Sequence, residues 1–315
     1  MLNISLPAHI RSDLAQVEQL VQARTRTRAA VISIAGAYLP QPGDQQLRAM
    51  LVLLAADLGT YRSERVLHAA AAVELIHAAT RTHNGMIDEA ARRRRLPPGE
   101  PWNQGIALMV GDYLFALAAG EMALSPDPRV IGYYSAAVLA VSEAELLPVQ
   151  TLVPLDAAYA QYRVRVGGVS AALLAAACRA GAACGGLAEA QIDQLAAYGE
   201  ALGYALQINS EIQDFVAATP ASPLAESLRR GRMSLPLIYA AQHSDAAQLS
   251  AALDSADAAA QRWAHAEVMA HGIAPARYEC AAQVDAARTA LADLPAGPAR
   301  HLLESVATAV GSATS

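Results

Sequence analysis

The stretch Glu74-Leu75-Ile76-His77-Ala78-Ala79-Thr80-Arg81-Thr82-His83-Asn84-Gly85-Met86-Ile87-Asp88-Glu89, followed after two alanines by Arg92-Arg93-Arg94-Arg95, decides how this chain is read. His77, Arg81, Asn84, Asp88 and Arg92 recur at steps of four, three, four and four, the repeat of one helix face. The residues around them, Ala70–Val73, Ile76, Ala78 and Ala79, are apolar. A second stretch, Gln207-Ile208-Asn209-Ser210-Glu211-Ile212-Gln213-Asp214-Phe215, places Gln207, Ser210, Glu211 and Asp214 on one face in the same way. Either stripe alone also fits the solvated face of a surface helix. Two such helices facing each other would instead line a polar cavity inside an apolar bundle. The arginine run needs anions, carboxylates or open water around it.

The composition supports helices throughout. The chain has 315 residues, 54% of them hydrophobic and few aromatic, with alanine and leucine prominent. That length buries a substantial core. A net charge of −6 supplies no basic field for nucleic acid. Cys178, Cys184 and Cys280 are odd in number and lack CxxC spacing, which reads as buried free thiols in a reducing compartment. The N-terminus shows no basic stretch leading into an apolar segment. The longest uncharged apolar runs, Val130–Ser142 and Val166–Cys178, fall short of the roughly 20 residues a membrane helix needs. A cytoplasmic protein without a transmembrane segment is expected. The chain contains no lysine, so a cation under selection would be kept as arginine.

Hydrophobic periodicity predicts helices over Val17–Ala37, Gln46–Gly59, Ser63–Ala91, Gly105–Leu124, Val130–Leu147, Asp156–Ala183, Ala188–Ala217 and Leu235–Ala241, with two or three more in the C-terminal third. Breakers fall at Leu39–Gly43, Pro97–Pro101 and Ser125–Pro128. No alternating strand pattern competes. No linker divides the chain, so one domain over residues 1–315 is expected.

These segments resemble, in order and spacing, the landmarks of the polyprenyl synthetase family, the trans-isoprenyl diphosphate synthases. ELIHAATRTHNGMIDEAARRRR is similar to the family's ELIHxxSLIHDDVIDExxxRRG, and GIALMVGDYLFALA to its GDYLxAxA. AACRAGA and YGEALGYALQINSEIQDF resemble the helices that lead into its second aspartate motif. SLRRGRMSLPLIYA and ARTALADLPAGPARHLLESVA resemble the segments beyond it. The resemblance implies an all-α, isoprenoid-synthase-type helical bundle around a central cavity. It implies two DDxxD motifs that hold magnesium against an allylic diphosphate, ionisation of that diphosphate, and attack by isopentenyl diphosphate. It also implies a dimer that buries an apolar helical face.

On that pattern, Arg48 and His77 stand at isopentenyl diphosphate contacts, and Arg93 and Arg94 at the arginine pair after the first motif. Gln207 precedes the second motif, and Asp88 and Asp214 are the last aspartates of the two. The departures are heavier. The leading aspartates are Asn84 and Gly85 in one motif and Ser210 and Glu211 in the other. Three lysines of the pattern are Gln45, Val169 and Glu226. Absence of lysine does not explain these changes, because arginine would have kept the charge.

Magnesium prefers near-octahedral oxygen ligands, mostly carboxylate and phosphate. Each lost charge-assisted contact costs roughly 2–4 kcal/mol in barrier. Weakened magnesium binding and impaired turnover are therefore expected, with Asn84, Asp88, Glu211 and Asp214 as vestigial ligands. Arg81 stands where the family is usually apolar. It reads either as a salt-bridge partner of Asp88, Glu74 or Glu211, or as positive charge in place of the metal. In the second case Arg81, Arg93 and Arg94 would grip a diphosphate directly. Ile76, Ala79 and Thr80, just upstream, are small or aliphatic and would not close a long apolar tunnel. The expected function is a catalytically impaired subunit paired with an active prenyl synthase, or an isoprenoid diphosphate binder. The alternative is an active prenyltransferase with an atypical metal site.

Overall fold

Pro7 cannot extend a helix backwards, and directly after it the first helix begins, α1 (Ala8–Thr25). The computed structural model describes residues 4–25, 46–84, 104–147, 151–217, 233–255 and 257–312. Among these the chain is helical and contains no strand, as expected. The further helices are α2 (Leu47–Ala56), α3 (Ser63–Asn84), α4 (Gln104–Leu124), α5 (Arg129–Glu145), α6 (Leu155–Val166), α7 (Ala172–Cys184), α8 (Glu189–Val216), α9 (Leu235–Ala240), α10 (Ala246–Asp254), α11 (Ala258–Glu267), α12 (Ile273–Ala290) and α13 (Pro298–Ser312). Short π-helical segments, Gly167–Ala171 and Val268–Gly272, join α6 to α7 and α11 to α12.

The chain forms two compact units. The first is Met1–Val138, Leu173–Ala196 and Asp293–Leu303; the second is Leu139–Ala172, Ala197–Ala292 and Glu304–Ser315. Four of their limits fall inside α5, α7, α8 and α13, and the fifth, Ala292/Asp293, in the turn between α12 and α13.

In the first unit, α2 is buried from Ala49 to Ala56, and α3 is buried from Ala69 to Ile76. The backbones approach closely here. A Cβ on Gly181 would lie 2.1 Å from the carbonyl oxygen of Val52, so only glycine lets α7 pack against α2. The sequence reading started the first helix at Val17, nine residues late. Asp13 explains the miss, because it interrupts the apolar stripe of Ile10, Val17 and Val21 yet is itself buried. Its carboxylate accepts from the Tyr61 hydroxyl at 2.6 Å, from Gln16 at 2.8 Å, and from Ser63.

In the second unit, a Cβ on Gly272 would sit 2.0 Å from the Pro236 carbonyl oxygen, which fixes the π segment against α9. The Cys280 thiol meets the Ala205 carbonyl at 3.4 Å, and Cys178, Cys184 and Cys280 are all free and buried, as expected.

Two helical runs, Gly105–Leu124 and Leu155–Cys184, are long and apolar enough to cross a membrane by length and hydropathy. The uncharged-run criterion passed over the first because Asp112 and Glu121 interrupt it. Glu121 is buried and accepts from Arg24 Nε at 2.5 Å, and lies 2.7 Å from His68 Nδ1. The second run is mostly buried within the protein.

Candidate functional site

The polar residues of the first stretch gather in the first unit. Glu74 lies in the middle of α3 with apolar side chains around it and is 2% exposed. Its Oε1 accepts the backbone N–H of Ala49 at 2.9 Å, and the carboxylate also accepts the N–H of Arg48. It therefore caps the N-terminus of α2 from a neighbouring helix, a position where Gln46 supplies no side-chain cap of its own. Burial raises the Glu74 carboxyl above its usual range, and Arg48 opposes the shift. The Arg48 residue keeps some solvent access, while its Nε is buried and has no hydrogen-bond partner among the described residues.

His77 follows one turn after Glu74. Burial and then the charges of Arg48 and Arg81 hold its imidazole well below the ordinary histidine range, so it is neutral. Arg81 is exposed at the next turn. The stripe is thus no solvated face at Glu74, where Val73, Leu75 and Ile76 are also buried, and His77 is half-buried. Thr80 and Ile76 add no bulk outward; Thr80 Oγ1 donates to the Ile76 carbonyl at 3.0 Å.

The end of α3 is anchored on α4. His83 Nε2 lies 3.2 Å from the Leu108 carbonyl oxygen and 3.4 Å from Asp112 Oδ1. A Cβ on Gly111 would fall 2.0 Å from that same Nε2. The Gly-Asp pair of the GDYL landmark therefore has a local physical role, glycine for the approach and aspartate for the imidazole. Asn84 closes α3. Asp88, Arg93 and Arg94 lie outside the described residues, as do Gly85, Gln45 and Glu226.

The second stretch belongs to the second unit. Glu211 is 4% exposed on α8. Its Oε1 accepts from Gln207 Nε2 at 2.9 Å, and its Oε2 accepts from the Tyr162 hydroxyl at 3.0 Å and the Leu235 N–H at 2.9 Å. Gln207 Oε1 accepts in turn from Ser170 Oγ at 2.8 Å. The π-helical turn carries Ser170, and a Cβ on Gly203 would lie 2.5 Å from Ala171 Cα, so α8 and this turn are held tightly together. Burial, the largest cause, pushes the Glu211 carboxyl up to about 7 against the pull of its three donors. Ser210 is exposed and Asp214 half-buried.

Each unit thus uses a motif carboxylate as a buried cap for a neighbouring helix, Glu74 for α2 and Glu211 for α9. Sequence spacing gave no sign of the capping role of Glu74, and Tyr162 and Ser170 were missed because they lie far away in the chain. No cluster of three or more histidine, cysteine or acidic residues that would hold a metal occurs among the described residues. The donor chemistry agrees within the second unit, where the Glu211 oxygens already serve three protein donors.

A chain that is helical and without strands over its described residues falls in the class of isoprenyl diphosphate synthase folds. The chain belongs to the polyprenyl synthetase family, whose profile matches residues 29–269. It is 32% identical to heptaprenyl diphosphate synthase component 2 of Geobacillus stearothermophilus, over 73% of each chain. It is 31% identical to nonaprenyl diphosphate synthase of Mycobacterium tuberculosis, over 94% of this chain and 91% of that one. Among solved structures, a decaprenyl diphosphate synthase from Rhodobacter capsulatus superposes with a TM-score of 0.83 at 30% identity, covering 96% of this chain and 97% of that one. A polyprenyl synthase from Caulobacter crescentus complexed with calcium and isoprenyl diphosphate gives 0.84 at 27% identity, covering 96% and 95%.

Proposed function

We propose that this protein binds isoprenoid diphosphates and carries little or no metal-dependent prenyl transfer of its own, acting as one domain within a homodimer or a heterodimer with an active prenyl synthase. The observation that carries the reading is Glu211. A carboxylate at a leading position of the second motif faces three protein donors and is pushed up to about 7 by burial, the reverse of what a magnesium ligand needs. Asn84 and Ser210 are neutral and Gly85 has no side chain, which supports the same conclusion. Diphosphate contacts would come from Arg48, His77, Arg81, Arg93, Arg94 and Gln207. A cytoplasmic location fits a water-soluble diphosphate headgroup.

The dimer is supported by α4. Its exposed residues include Leu108, Met109, Ala116, Ala119, Gly120 and Leu124, one apolar face on which Asp112 is the charged exception. A contiguous apolar face of this kind marks a partner surface. That a relative is a numbered component of its synthase supports a subunit role.

The second reading, an active prenyltransferase with an atypical metal site, is favoured by retention of Arg48 and His77 and by the likeness to a nonaprenyl diphosphate synthase over 94% of the chain. The deciding experiment incubates the purified chain with labelled isopentenyl diphosphate and a dimethylallyl, geranyl, farnesyl or geranylgeranyl diphosphate, with and without magnesium. No elongated product from a folded chain is the expected result. Magnesium-dependent product would overturn the impaired reading in favour of the second.

A further inference from the structure

In the second unit two turns from different helices bring a pair of histidines together. His243 stands in the turn after α9, and His271 in the π-helical turn Val268–Gly272. Their rings stack, with centroids 5.5 Å apart and planes 28° from parallel. Both residues are exposed, so dissolved ions reach the pair. Both turns are held in place. The His243 N–H donates to the Ala240 carbonyl at 3.0 Å. Gly272, next to His271, lies so close to α9 that a Cβ would fall 2.0 Å from the Pro236 carbonyl oxygen. Turns of π type are frequent at functional positions.

A carboxylate backs the pair. Glu267, at the end of α11, places Oε2 4.0 Å from His271 Nε2. Ser244, the neighbour of His243, donates its hydroxyl to that same oxygen. Asp245 is spent elsewhere, because its carboxylate caps α10 by accepting the N–H groups of Ala247 and Gln248. Imidazole nitrogens select zinc, copper or nickel, whereas magnesium and calcium select oxygen. A carboxylate on one ring nitrogen fixes the tautomer and leaves the other nitrogen for a metal.

The geometry points to His243 and His271 as a two-nitrogen site for a divalent ion of the zinc, copper and nickel class, with Glu267 orienting His271 from behind. Glu267 faces Nε2, so Nδ1 of His271 meets the ion, His243 supplies the second nitrogen and water fills the remaining positions. Two protein ligands suffice for an open site of this kind, and no three-residue cluster is needed, in agreement with the absence of one among the described residues. Converging the two nitrogens on one ion takes rotation of two exposed side chains. The bound ion staples the turn after α9 to the turn between α11 and α12. The site is independent of the diphosphate-binding reading above.

The test is isothermal titration of the full chain, freed of metal with EDTA and dialysed, with zinc chloride, nickel chloride and magnesium chloride in turn. Zinc and nickel are expected to bind and magnesium to give no heat at this site. Affinity for zinc should fall by about tenfold or more in His243→Ala and in His271→Ala, and by about tenfold in Glu267→Gln, the loss typical of an orienting partner. Both histidines are exposed, and circular dichroism of the metal-free variants confirms that helix content is unchanged. Unchanged zinc affinity in both alanine variants means an adventitious ion on other histidines only and overturns the site. Magnesium binding that the same variants remove also overturns it, because the donors would then not be imidazole nitrogens. Full zinc affinity in Glu267→Gln, with the histidines still required, overturns the role of the carboxylate.

Discussion

The hydroxyl of Tyr162 donates to Oε2 of Glu211 at 3.0 Å, joining α6 to α8 through a carboxylate that burial raises to about 7 from an ordinary 4.5. Between those two values the folded chain keeps a proton that the unfolded chain has released. Stability is therefore highest at the acidic end of this window, falls as pH rises through about 7, and is flat above it, by roughly 3 kcal/mol for this group alone. Urea denaturation at about pH 5 and about pH 8 measures the slope, and Glu211→Gln should flatten it. Tyr162→Phe removes one donor to the anion and should cost about 1 kcal/mol at the higher pH.

Glu74 combines a helix cap with a charge partner for Arg48. Glu74→Ala leaves the N–H groups of Arg48 and Ala49 and a buried cation without their acceptor. A loss of about 3 kcal/mol is expected, against about 1 kcal/mol for an exposed cap. Chemical denaturation of the two purified proteins reads the difference directly.

Two glycines should respond to alanine with opposite signs. Gly181→Ala drives a methyl into the Val52 carbonyl at the α7–α2 contact and should destabilise by about 2 kcal/mol or more. Gly120→Ala meets nothing within 4 Å and lies inside α4, where alanine is the better helix former by about 1 kcal/mol. Thermal melts of the two variants at low concentration check the pair.

Charge on the exposed face of α4 should separate subunits without unfolding them. Leu108 is 46% and Met109 66% exposed, so a double glutamate substitution there buries nothing within the chain. Sedimentation is expected to show a lower-order species with unchanged helical content. If the double variant sediments as the unaltered chain does, α4 is not a partner surface.

Much of the fold was legible because the apolar period repeats every three to four residues. Gln46–Gly59, Gly105–Leu124, Ala188–Ala217 and Leu235–Ala241 lie within a few residues of α2, α4, α8 and α9. The start of α1 was not, since a buried aspartate looks like a surface residue until Tyr61 and Ser63 are known to donate to it. The π-helical turn at Gly167–Ala171 was read as plain helix, because one extra residue in a turn leaves the composition of the segment unchanged. It is that turn which carries Ser170, the donor to Gln207.

The sequence by itself determined the helical class and the family landmarks, because those are properties of composition, period and order along the chain. Only the tertiary structure decided what the remaining polar groups do. Glu74 and Glu211 became caps for helices far away in sequence, His77 became a ring that burial holds below the ordinary histidine range, and Arg48 Nε is a buried donor without an acceptor among the described residues. Those roles depend on desolvation and on partners supplied by other helices, and neither is encoded in local spacing.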